Sequence, residues 1–552
     1  MSTLATIDES VAPPLLQPGS RGSSRLALIV SCFIIALYLL LQNPFWVRHG
    51  DSEVFLSLAR NIAQGRGYQF NGEPVVRVPQ GWPYVLAGAM KISPQIWFLK
   101  LLPMTFMLGF LLLSYRLLLE CATPLIAGLC IVTAAILEPV FPLSYMFFSD
   151  SLFALLAVAA VAMALRISSG RDSWANIVVL ILLCSAAAAV REAALPWFAV
   201  LAGALLHGEL WPRANRRWLA VLLAAAATVI VFLSLRQLRA IDPSQLDPRY
   251  DTFLAGTYDI VNRVDPVERF LNFGQWLGGL LWQPAQTFRF SRPADSAVGW
   301  LLSILILLFV IVPAIRRRRW AWLGGALYVI ALGANWPDAV TRYIVPLAPF
   351  VVLASYEAIV EFSEKLRHAR IWLRPLGLNL FFASVLGLNG ATYLIEASAM
   401  HATHFYERYQ GGLHKSLIES AFYLNEHPDD MHEIAISQRI ENIGKISYSD
   451  GYRRALNFLT NRSIINVPQE LCREPNADLI AWLTQHHVRY YLYQPPVWAI
   501  GHFAFRTHDG QIIESDDTAW HLYEIKDGQA LRIRPGVLSG WPVAVPVLDA
   551  RH

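Results

Sequence analysis

Residues 26–51 read LALIVSCFIIALYLLLQNPFWVRHGD, an apolar run followed directly by a polar segment that ends at Asp51. A membrane-spanning helix needs about 20 mostly apolar residues. Arg21 and Arg25 precede the run, and the segment after it lacks the small-residue site at which a secretory signal is cleaved. We therefore predict an uncleaved first membrane helix, with Asp51 directly after it.

The composition of the 552-residue chain places it in the membrane class. Hydrophobic residues make up 55% of the chain and charged residues only 16%, whereas a soluble globular protein carries about a quarter charged residues. The formal net charge is +4 and most arginines fall between apolar runs, so they indicate membrane orientation and no nucleic-acid partner is expected. Four of the five cysteines lie inside apolar segments, so neither a disulfide framework nor a Cys/His metal motif follows.

Eleven apolar runs meet or approach the length of a membrane span. They lie near 26–42, 96–115, 124–142, 150–165, 175–190, 192–208, 218–235, 299–315, 320–335, 343–361 and 378–396. The predicted fold class is a polytopic α-helical membrane protein with about eleven transmembrane helices and a soluble C-terminal α/β domain. Its predicted parts are a tail, 1–25, a transmembrane domain, 26–396, with long loops at 43–95 and 236–298, and a C-terminal domain, 397–552.

The basic residues in the connections predict the orientation of these helices. With the N-terminus inside, one side of the membrane receives sixteen Lys and Arg residues from alternate connections. The short connections on the other side, 143–149, 190–192 and 336–342, contain only Arg191 and Arg342. We therefore expect a cytoplasmic N-terminal tail, with both long loops and the C-terminal domain outside the cytoplasm.

Both long loops carry features of a membrane interface. In the first, apolar pairs recur every four residues from Val54 to Ala63, and polar side chains take the other face of the predicted helix. Those polar residues are Glu53, Arg60, Asn61 and Gln64. The second loop mixes charges with Trp276, Trp282 and Phe288. A helix of this kind in the first loop can lie along the interface.

From about residue 400 onward, the pattern becomes that of a soluble α/β domain. Short strands are predicted at 433–437, 463–468, 488–493 and 520–525, and a helix at 478–486. Strands that alternate with helices favour a parallel or mixed sheet. The last of these strands is expected near the sheet edge.

Six ionisable residues are predicted to meet at the external face of the membrane. They are Asp51, Asp150, Arg191, Glu192, Asp338 and Arg342. Charges at this level are costly and usually have a function. Guanidiniums can bind phosphate bidentately, and a carboxylate can accept a proton from an attacking hydroxyl, so the set suits a reaction on a phosphorylated substrate. Asp150 could act as a second acid or, with Asp51, hold a divalent cation; whether a metal takes part is left open.

These residues also have purely structural interpretations. Asp51 and Asp150 precede predicted helices and could serve as N-caps. Arg191 and Glu192 could neutralise each other at a helix junction, and Arg342 could anchor its helix at the interface. The secondary candidates for the site are His49, Glu53, Glu192 and Asp338.

An ordered set of motifs follows the first predicted helix. Residues 50–68 read GDSEVFLSLARNIAQGRGY and residues 77–83 read RVPQGWP. This order of an aspartate, an interfacial helix, a Gly-x-Gly-Tyr turn and a proline-containing element resembles the first external loop of the GT-C membrane glycosyltransferases. The relatives concerned are the protein O-mannosyltransferases, the lipid A aminoarabinose transferases and the sugar transferases grouped with the rhizobial galacturonosyltransferases. The resemblance extends to SDSL at 149–152, VRE at 190–192 and TRYIVPLAP at 341–349.

The resemblance implies a specific activity. A sugar would pass, with inversion, from a polyprenyl-phosphate-linked donor to a lipid, glycan or protein acceptor on the external face of a bacterial inner membrane. By position, Asp51 would be the catalytic base and Asp150 a second acidic residue of the site. Arg191 and Arg342 would bind the donor phosphate, and membrane lipids would surround the helices.

The chain departs from the family pattern at two dipeptides. Asp51-Ser52 stands where many relatives have Asp-Glu, and Pro79-Gln80 stands where they have Pro-Pro, which weakens assignment to the aminoarabinose or O-mannosyl branches. A transporter or flippase of an amphiphile would also need membrane charges, and a scaffold or sensor is a third possibility. Transporters usually carry broken helices near the midplane, whereas these charges gather at one face, which favours an enzyme.

Overall fold

The architecture is that of a computed structural model. The residues it describes are 21–47, 51–75, 79–169, 173–205, 225–226, 229, 277–281, 299–308, 320–335, 341–365, 373–401, 412–427, 433–437, 448–494 and 520–533. The predicted span near 218–235 and the loop 236–298 lie almost wholly outside the described residues.

Helices make up most of the described membrane domain. The first eight are α1 (Arg21–Leu40), α2 (Asp51–Ala63), α3 (Gly81–Ile92), α4 (Ile96–Leu118), α5 (Pro124–Ile136), α6 (Asp150–Ser168), α7 (Trp174–Val190) and α8 (Phe198–Leu205). Later helices are Trp320–Asn335, Ala348–Lys365 and Leu373–Met400. Short 3-10 segments are Phe141–Ser144, Glu192–Ala194 and Thr341–Leu347.

Three described helical segments are long and apolar enough to cross a membrane. They are Ile96–Leu118, Asp150–Ser168 and Thr341–Val360. Six further apolar helices in the described ranges are shorter, at 10–17 residues. The predicted helical membrane class is confirmed, whereas the predicted count of eleven spans is not.

Buried polar contacts fix the end of α1, from which the chain leads toward Asp51. Lys100 of α4 is fully buried and donates to the Asn43 side-chain oxygen at 2.7 Å and to the Asn43 carbonyl at 3.2 Å. The Asn43 amide in turn donates to the Met400 carbonyl at 3.3 Å. Because a buried ammonium needs such acceptors, these bonds hold three distant parts of the chain together.

The first external loop is folded against the rest of the protein. After α2, Gly65 and Gly67 adopt positive φ angles of 76° and 87°, a conformation open to glycine. They lead into a two-stranded antiparallel hairpin, β1 (Gln69–Phe70) with β2 (Glu73–Pro74). α3 then follows.

The polar face of α2 is buried. Glu53 is 0% exposed, Arg60 2% and Asn61 7%. A soluble-domain helix, Tyr448–Thr460, covers part of this face and is named the docking helix. Arg60 donates to the carbonyls of Phe458 at 2.6 Å and Asn457 at 3.4 Å, at the C-terminal end of that helix. A buried arginine therefore donates to two carbonyls of the last turn of the docking helix.

The C-terminal domain contains a five-stranded mixed sheet. Its strands are β3 (Glu433–Ser437), β4 (Ile464–Val467), β5 (Val488–Tyr493), β6 (His521–Lys526) and β7 (Gln529–Ile533), in the spatial order β4-β3-β5-β6-β7. β3 pairs in parallel with β4 and β5, and β5, β6 and β7 pair antiparallel. The mixed sheet is as predicted. β6 is not an edge strand, because the chain turns back at Asp527-Gly528 and β7 pairs with the outer edge of β6.

The two faces of this sheet belong to different cores. Ile434, Ile436 and Leu492 join the cluster that runs through the membrane helices and α2. Ala435 and Tyr491, whose side chains alternate to the other face, pack in a separate cluster with the helix Ala477–Gln485. The soluble domain is therefore packed onto the membrane domain through one face of its sheet and through the docking helix.

Candidate active site

Asp51 is the first residue of α2, and both of its carboxylate oxygens face arginines. Arg342, in the 3-10 segment Thr341–Leu347, donates from Nη2 to Asp51 Oδ2. Arg454, on the docking helix, places Nη1 3.5 Å from Asp51 Oδ1. One carboxylate is thus held between a membrane-domain arginine and a soluble-domain arginine.

Asp150 is the first residue of α6 and lies against Arg191, which follows α7. Arg191 Nη1 donates to Asp150 Oδ2 at 2.8 Å and to the Ser149 hydroxyl oxygen at 2.7 Å. The sequence left open whether Asp150 caps its helix. In the structure Ser149 is the N-cap residue and its side chain makes no capping bond, while the Asp150 carboxylate binds the arginine and also suits the positive end of the helix dipole.

Arg342 joins the two aspartates. Its Nε lies 3.9 Å from Asp150 Oδ2, in addition to its bond with Asp51. The five side chains form a continuous alternation of charges, named here the ion-pair chain: Arg454, Asp51, Arg342, Asp150 and Arg191. It therefore carries three positive and two negative charges, a surplus of one positive charge.

Aromatic rings flank the two membrane-domain arginines of the ion-pair chain. The guanidinium of Arg191 lies 4.2 Å from the Tyr343 ring centroid, and that of Arg342 lies 4.4 Å from the Phe148 ring centroid. A ring face attracts a cation and limits the planes that the guanidinium can adopt. The guanidiniums are thus oriented before any ligand binds.

The two carboxylates differ in exposure. The Asp51 side chain is 36% exposed, whereas that of Asp150 is 1% exposed. The guanidinium side chains lie between these limits, at 11% for Arg191, 15% for Arg342 and 17% for Arg454. Of the two, Asp51 is the carboxylate that a substrate can reach.

The charges around Asp51 determine its protonation. Desolvation by the surrounding protein works to raise the pKa of the Asp51 carboxyl, but the Arg342 and Arg454 guanidiniums outweigh it and hold that pKa well below its usual range. The carboxylate is therefore ionised at neutral pH. For the same reason it is a weak proton acceptor while both arginines contact it.

The helix α3 supports the end of the site that contains Asp150 and Arg191. Trp82 Nε1 donates to the carbonyl of Phe147 at 2.8 Å, just before Asp150. At Gly81 a Cβ atom would lie 2.9 Å from the Ala189 carbonyl oxygen. A side chain at that position would push α3 away from the backbone that leads to Arg191.

The structure brings together four of the residues singled out from the sequence: Asp51, Asp150, Arg191 and Arg342. Glu53 is buried in the first turn of α2, and Glu192 is partly exposed in its 3-10 turn. His49 and Asp338 lie outside the described residues. Sequence reasoning missed Arg454, one of 45 basic residues, because no motif or periodicity links it to Asp51, which lies more than 400 residues earlier.

The sequence suggested Asp51 and Asp150 as the ligands if a divalent cation takes part. Within the described ranges, no three His, Cys, Asp or Glu side chains cluster closely enough to hold a metal ion. Asp51 contacts Arg342 and Arg454, and Asp150 contacts Arg191 and Arg342.

Solved structures show a likeness over most of the chain. ArnT from Cupriavidus metallidurans, solved bound to undecaprenyl phosphate, is similar over 87% of this chain and 94% of its own, with a TM-score of 0.54 and 13% identity. An oligosaccharyltransferase from Archaeoglobus fulgidus, solved with Zn and sulfate, is similar over 85% of this chain and 68% of its own, with a TM-score of 0.50 and 12% identity. No protein-family model and no curated protein matches the sequence. At these identities the likeness concerns the fold: the chain is structurally similar over most of its length to GT-C membrane glycosyltransferases.

Proposed function

We propose that this chain is an integral membrane glycosyltransferase that moves a sugar from a polyprenyl-phosphate carrier to an acceptor at the external face of the bacterial inner membrane. The observation that carries the proposal is the ion-pair chain, in which a half-exposed carboxylate lies between oriented guanidiniums at the ends of membrane helices. Such a site suits a substrate that combines an anionic phosphate with a long apolar chain. The fold likeness to a protein solved with undecaprenyl phosphate supports the same donor class.

The proposed reaction is a single displacement at the anomeric carbon. The acceptor oxygen forms a bond to that carbon while the bond from the carbon to the phosphate oxygen breaks, so the configuration inverts. Polyprenyl phosphate leaves with the electron pair of the broken bond. Asp51 accepts the proton of the acceptor hydroxyl, and the arginines stabilise the charge that develops on the leaving phosphate.

The low pKa of Asp51 implies an order of events. With two guanidiniums beside it, the carboxylate binds a proton weakly. When the donor phosphate binds Arg342 in place of Asp51, the ionised carboxylate loses part of its electrostatic stabilisation. The Asp51 carboxylate then becomes a better base. Donor binding thus prepares Asp51 for the acceptor, which reacts only after the phosphate is in place.

Asp150 and Arg191 have a supporting role in this proposal. Asp150 is buried and contacts Arg191 and Arg342 through one carboxylate oxygen. It therefore holds both guanidiniums at fixed positions below the exposed part of the site. We assign phosphate binding to Arg342 and Arg191, and orientation of these two arginines to Asp150.

The test is turnover in proteoliposomes that contain the purified full-length protein. The donor source is the lipid extract of a strain in which the gene is deleted, since the unused donor accumulates there. Mass spectrometry should show loss of a polyprenyl-phosphate-linked sugar and formation of polyprenyl phosphate together with a glycosylated acceptor.

The same experiment separates the enzyme from a transporter or flippase. A flippase would move the intact donor between leaflets and leave the bond between sugar and phosphate unbroken. Recovery of all polyprenyl-phosphate-linked sugars unchanged, with protein of native melting temperature, would contradict the proposed function.

A further inference from the structure

Arg454 lies beside Asp51, although it belongs to the C-terminal domain. Its Nη1 is 3.5 Å from Asp51 Oδ1, while Arg342 contacts the other oxygen of the same carboxylate. The two guanidiniums thus already hold a small, planar anion between them. A phosphate presents oxygens of similar spacing and equal or greater charge.

The charge balance of the site favours an additional anion. The ion-pair chain has three guanidiniums and two carboxylates. A polyprenyl-phosphate sugar is a phosphodiester with one negative charge, which would neutralise the surplus positive charge. Without Arg454 the four remaining members of the ion-pair chain would have no net charge.

The docking helix is held in a fixed position against the first external loop. Asn457 and Phe458 follow Arg454 by three and four residues and therefore lie on the same side of the helix. The carbonyls of both residues accept bonds from Arg60. The Phe458 ring packs 5.3 Å from that of Trp46, centroid to centroid. The side of the helix that docks is thus the side that presents Arg454.

Asn71 of the hairpin makes a second set of contacts with the soluble domain. Its amide donates to the Ile464 carbonyl at 2.8 Å, and its side-chain oxygen accepts from the Ile464 backbone N–H at 2.6 Å and from Asn457 at 3.2 Å. These bonds tie the docking helix and β4 to the loop that begins with Asp51. Arg454 is therefore held in place by the loop and is part of a preformed site.

We propose that Arg454 is a ligand of the donor phosphate, contributed by the soluble domain, and that Asp51 occupies its guanidinium until the donor arrives. This inference rests on the proposed function, because it assumes a polyprenyl-phosphate donor. It goes beyond it in making the C-terminal domain part of the donor site. Loss of the docking helix would remove one of three phosphate-binding cations as well as a domain contact.

Binding of undecaprenyl phosphate tests this role without knowledge of the sugar. The affinity is measured on the full-length protein in phosphatidylcholine nanodiscs for wild type, Arg454→Gln, Asp51→Asn and the double variant. Because a hydrogen bond to a charged group contributes about a factor of ten or more in affinity, Arg454→Gln should weaken binding roughly tenfold. Asp51→Asn should bind more tightly than wild type, since it removes the carboxylate that competes with the phosphate.

The double variant distinguishes a phosphate ligand from a residue that only positions Asp51. A phosphate ligand weakens binding in the Asp51→Asn background as well. If Arg454→Gln has no effect in that background, Arg454 acts only through Asp51 and the proposal is overturned. If wild-type protein itself does not bind undecaprenyl phosphate, the proposed function fails first, and the two failures are therefore distinguishable.

Three controls complete the experiment. Arg489→Gln removes an arginine that pairs with Glu524 at 2.8 Å on the sheet, and it should leave binding unchanged. Arg454→Lys keeps the positive charge and should retain most of the affinity lost in Arg454→Gln, which keeps the test valid if the Gln variant unfolds. Phosphatidylglycerol at the same concentration should not compete; equal competition would indicate a general lipid-phosphate site and would overturn the donor assignment.

Discussion

The two aspartates of the ion-pair chain have the same chemistry and opposite surroundings. Both begin a helix and both contact Arg342. Asp150 is 1% exposed and lies within the membrane domain, whereas Asp51 is 36% exposed and lies between the membrane domain and the docking helix.

The difference in exposure indicates different roles for the two aspartates. A buried carboxylate that loses its partner leaves an uncompensated charge, so it is costly to disturb. A half-exposed carboxylate contributes less to folding but can meet a substrate. We therefore expect substitutions of Asp51 to affect turnover and those of Asp150 to affect stability first.

The largest effect is expected from Asp51→Asn. Loss of the proton acceptor should lower the rate of sugar transfer by about 10²–10⁴-fold, with little change in melting temperature. Turnover in proteoliposomes and thermal unfolding in detergent measure the two quantities on the same preparation. A rate within a factor of a few of wild type would exclude Asp51 as the base.

Asp150→Asn should lower the stability of the protein, in contrast to Asp51→Asn. It removes the charge that balances Arg191 and Arg342 in a buried place, and such losses cost about 3–5 kcal/mol of folding free energy. The melting temperature should fall clearly. The matched control is Glu524→Gln, which breaks a more exposed pair with Arg489 and should cost less than about 1 kcal/mol. Equal stability losses in the two variants would contradict the scaffold role of Asp150.

Gly81→Ala should destabilise the protein at the end of the site that contains Asp150 and Arg191, and by less than Asp150→Asn does. The new methyl would lie 2.9 Å from the Ala189 carbonyl oxygen, and overpacking of this kind costs about 1–3 kcal/mol. Gly88→Ala in the same helix has open space around the added Cβ and should be neutral or slightly stabilising. A melting curve of Gly81→Ala as stable as that of Gly88→Ala would show that this contact does not constrain the site.

The smallest expected effect is a shift of the pH profile in Arg454→Gln. In wild type, the arginines hold the pKa of Asp51 below its usual range, so kcat/KM, which reports the free enzyme, should show no acid limb above about pH 4. Removing a cation raises that pKa, so the limb should move to higher pH. Because the pKa of Asp51 is lower in the folded protein than in the unfolded chain, the ionised carboxylate also stabilises the fold. This stabilisation is present above the unfolded pKa and is lost as the pH falls through the lower folded value. An unchanged acid limb in Arg454→Gln would show that Arg454 does not act on this carboxylate.

The sequence predicted that Asp150, Arg191 and Arg342 lie near one another, as the structure has them. Asp150, Arg191 and Arg342 follow or precede apolar helices, so threading those helices brings the charges to one level. The strands 433–437 and 488–493 were also predicted within a residue, since each is a short run of mostly apolar residues.

The contacts of the soluble domain could not be predicted in the same way. The face of α2 that carries Arg60 and Asn61 is polar, which locally favours water. Burial of that face depends on the docking helix, whose contacts with it span almost 400 residues of sequence. Arg454 reaches Asp51 for the same reason, and no local pattern encodes such a distant pairing.

The proposed function requires the docking helix and Asp51 to lie on the outer side of the membrane. Labelling of spheroplasts with a membrane-impermeant maleimide tests this, with Asp478→Cys as the soluble-domain reporter in a Cys472→Ser background. Asp478 has a side chain that is 74% exposed, and the native, exposed Cys121 lies at the predicted cytoplasmic end of α4. We expect the reporter at 478 to be labelled in intact spheroplasts and Cys121 to be labelled only after permeabilisation. Labelling of Cys121 in intact spheroplasts, with protection of the reporter at 478, would place the site in the cytoplasm and contradict the proposed function.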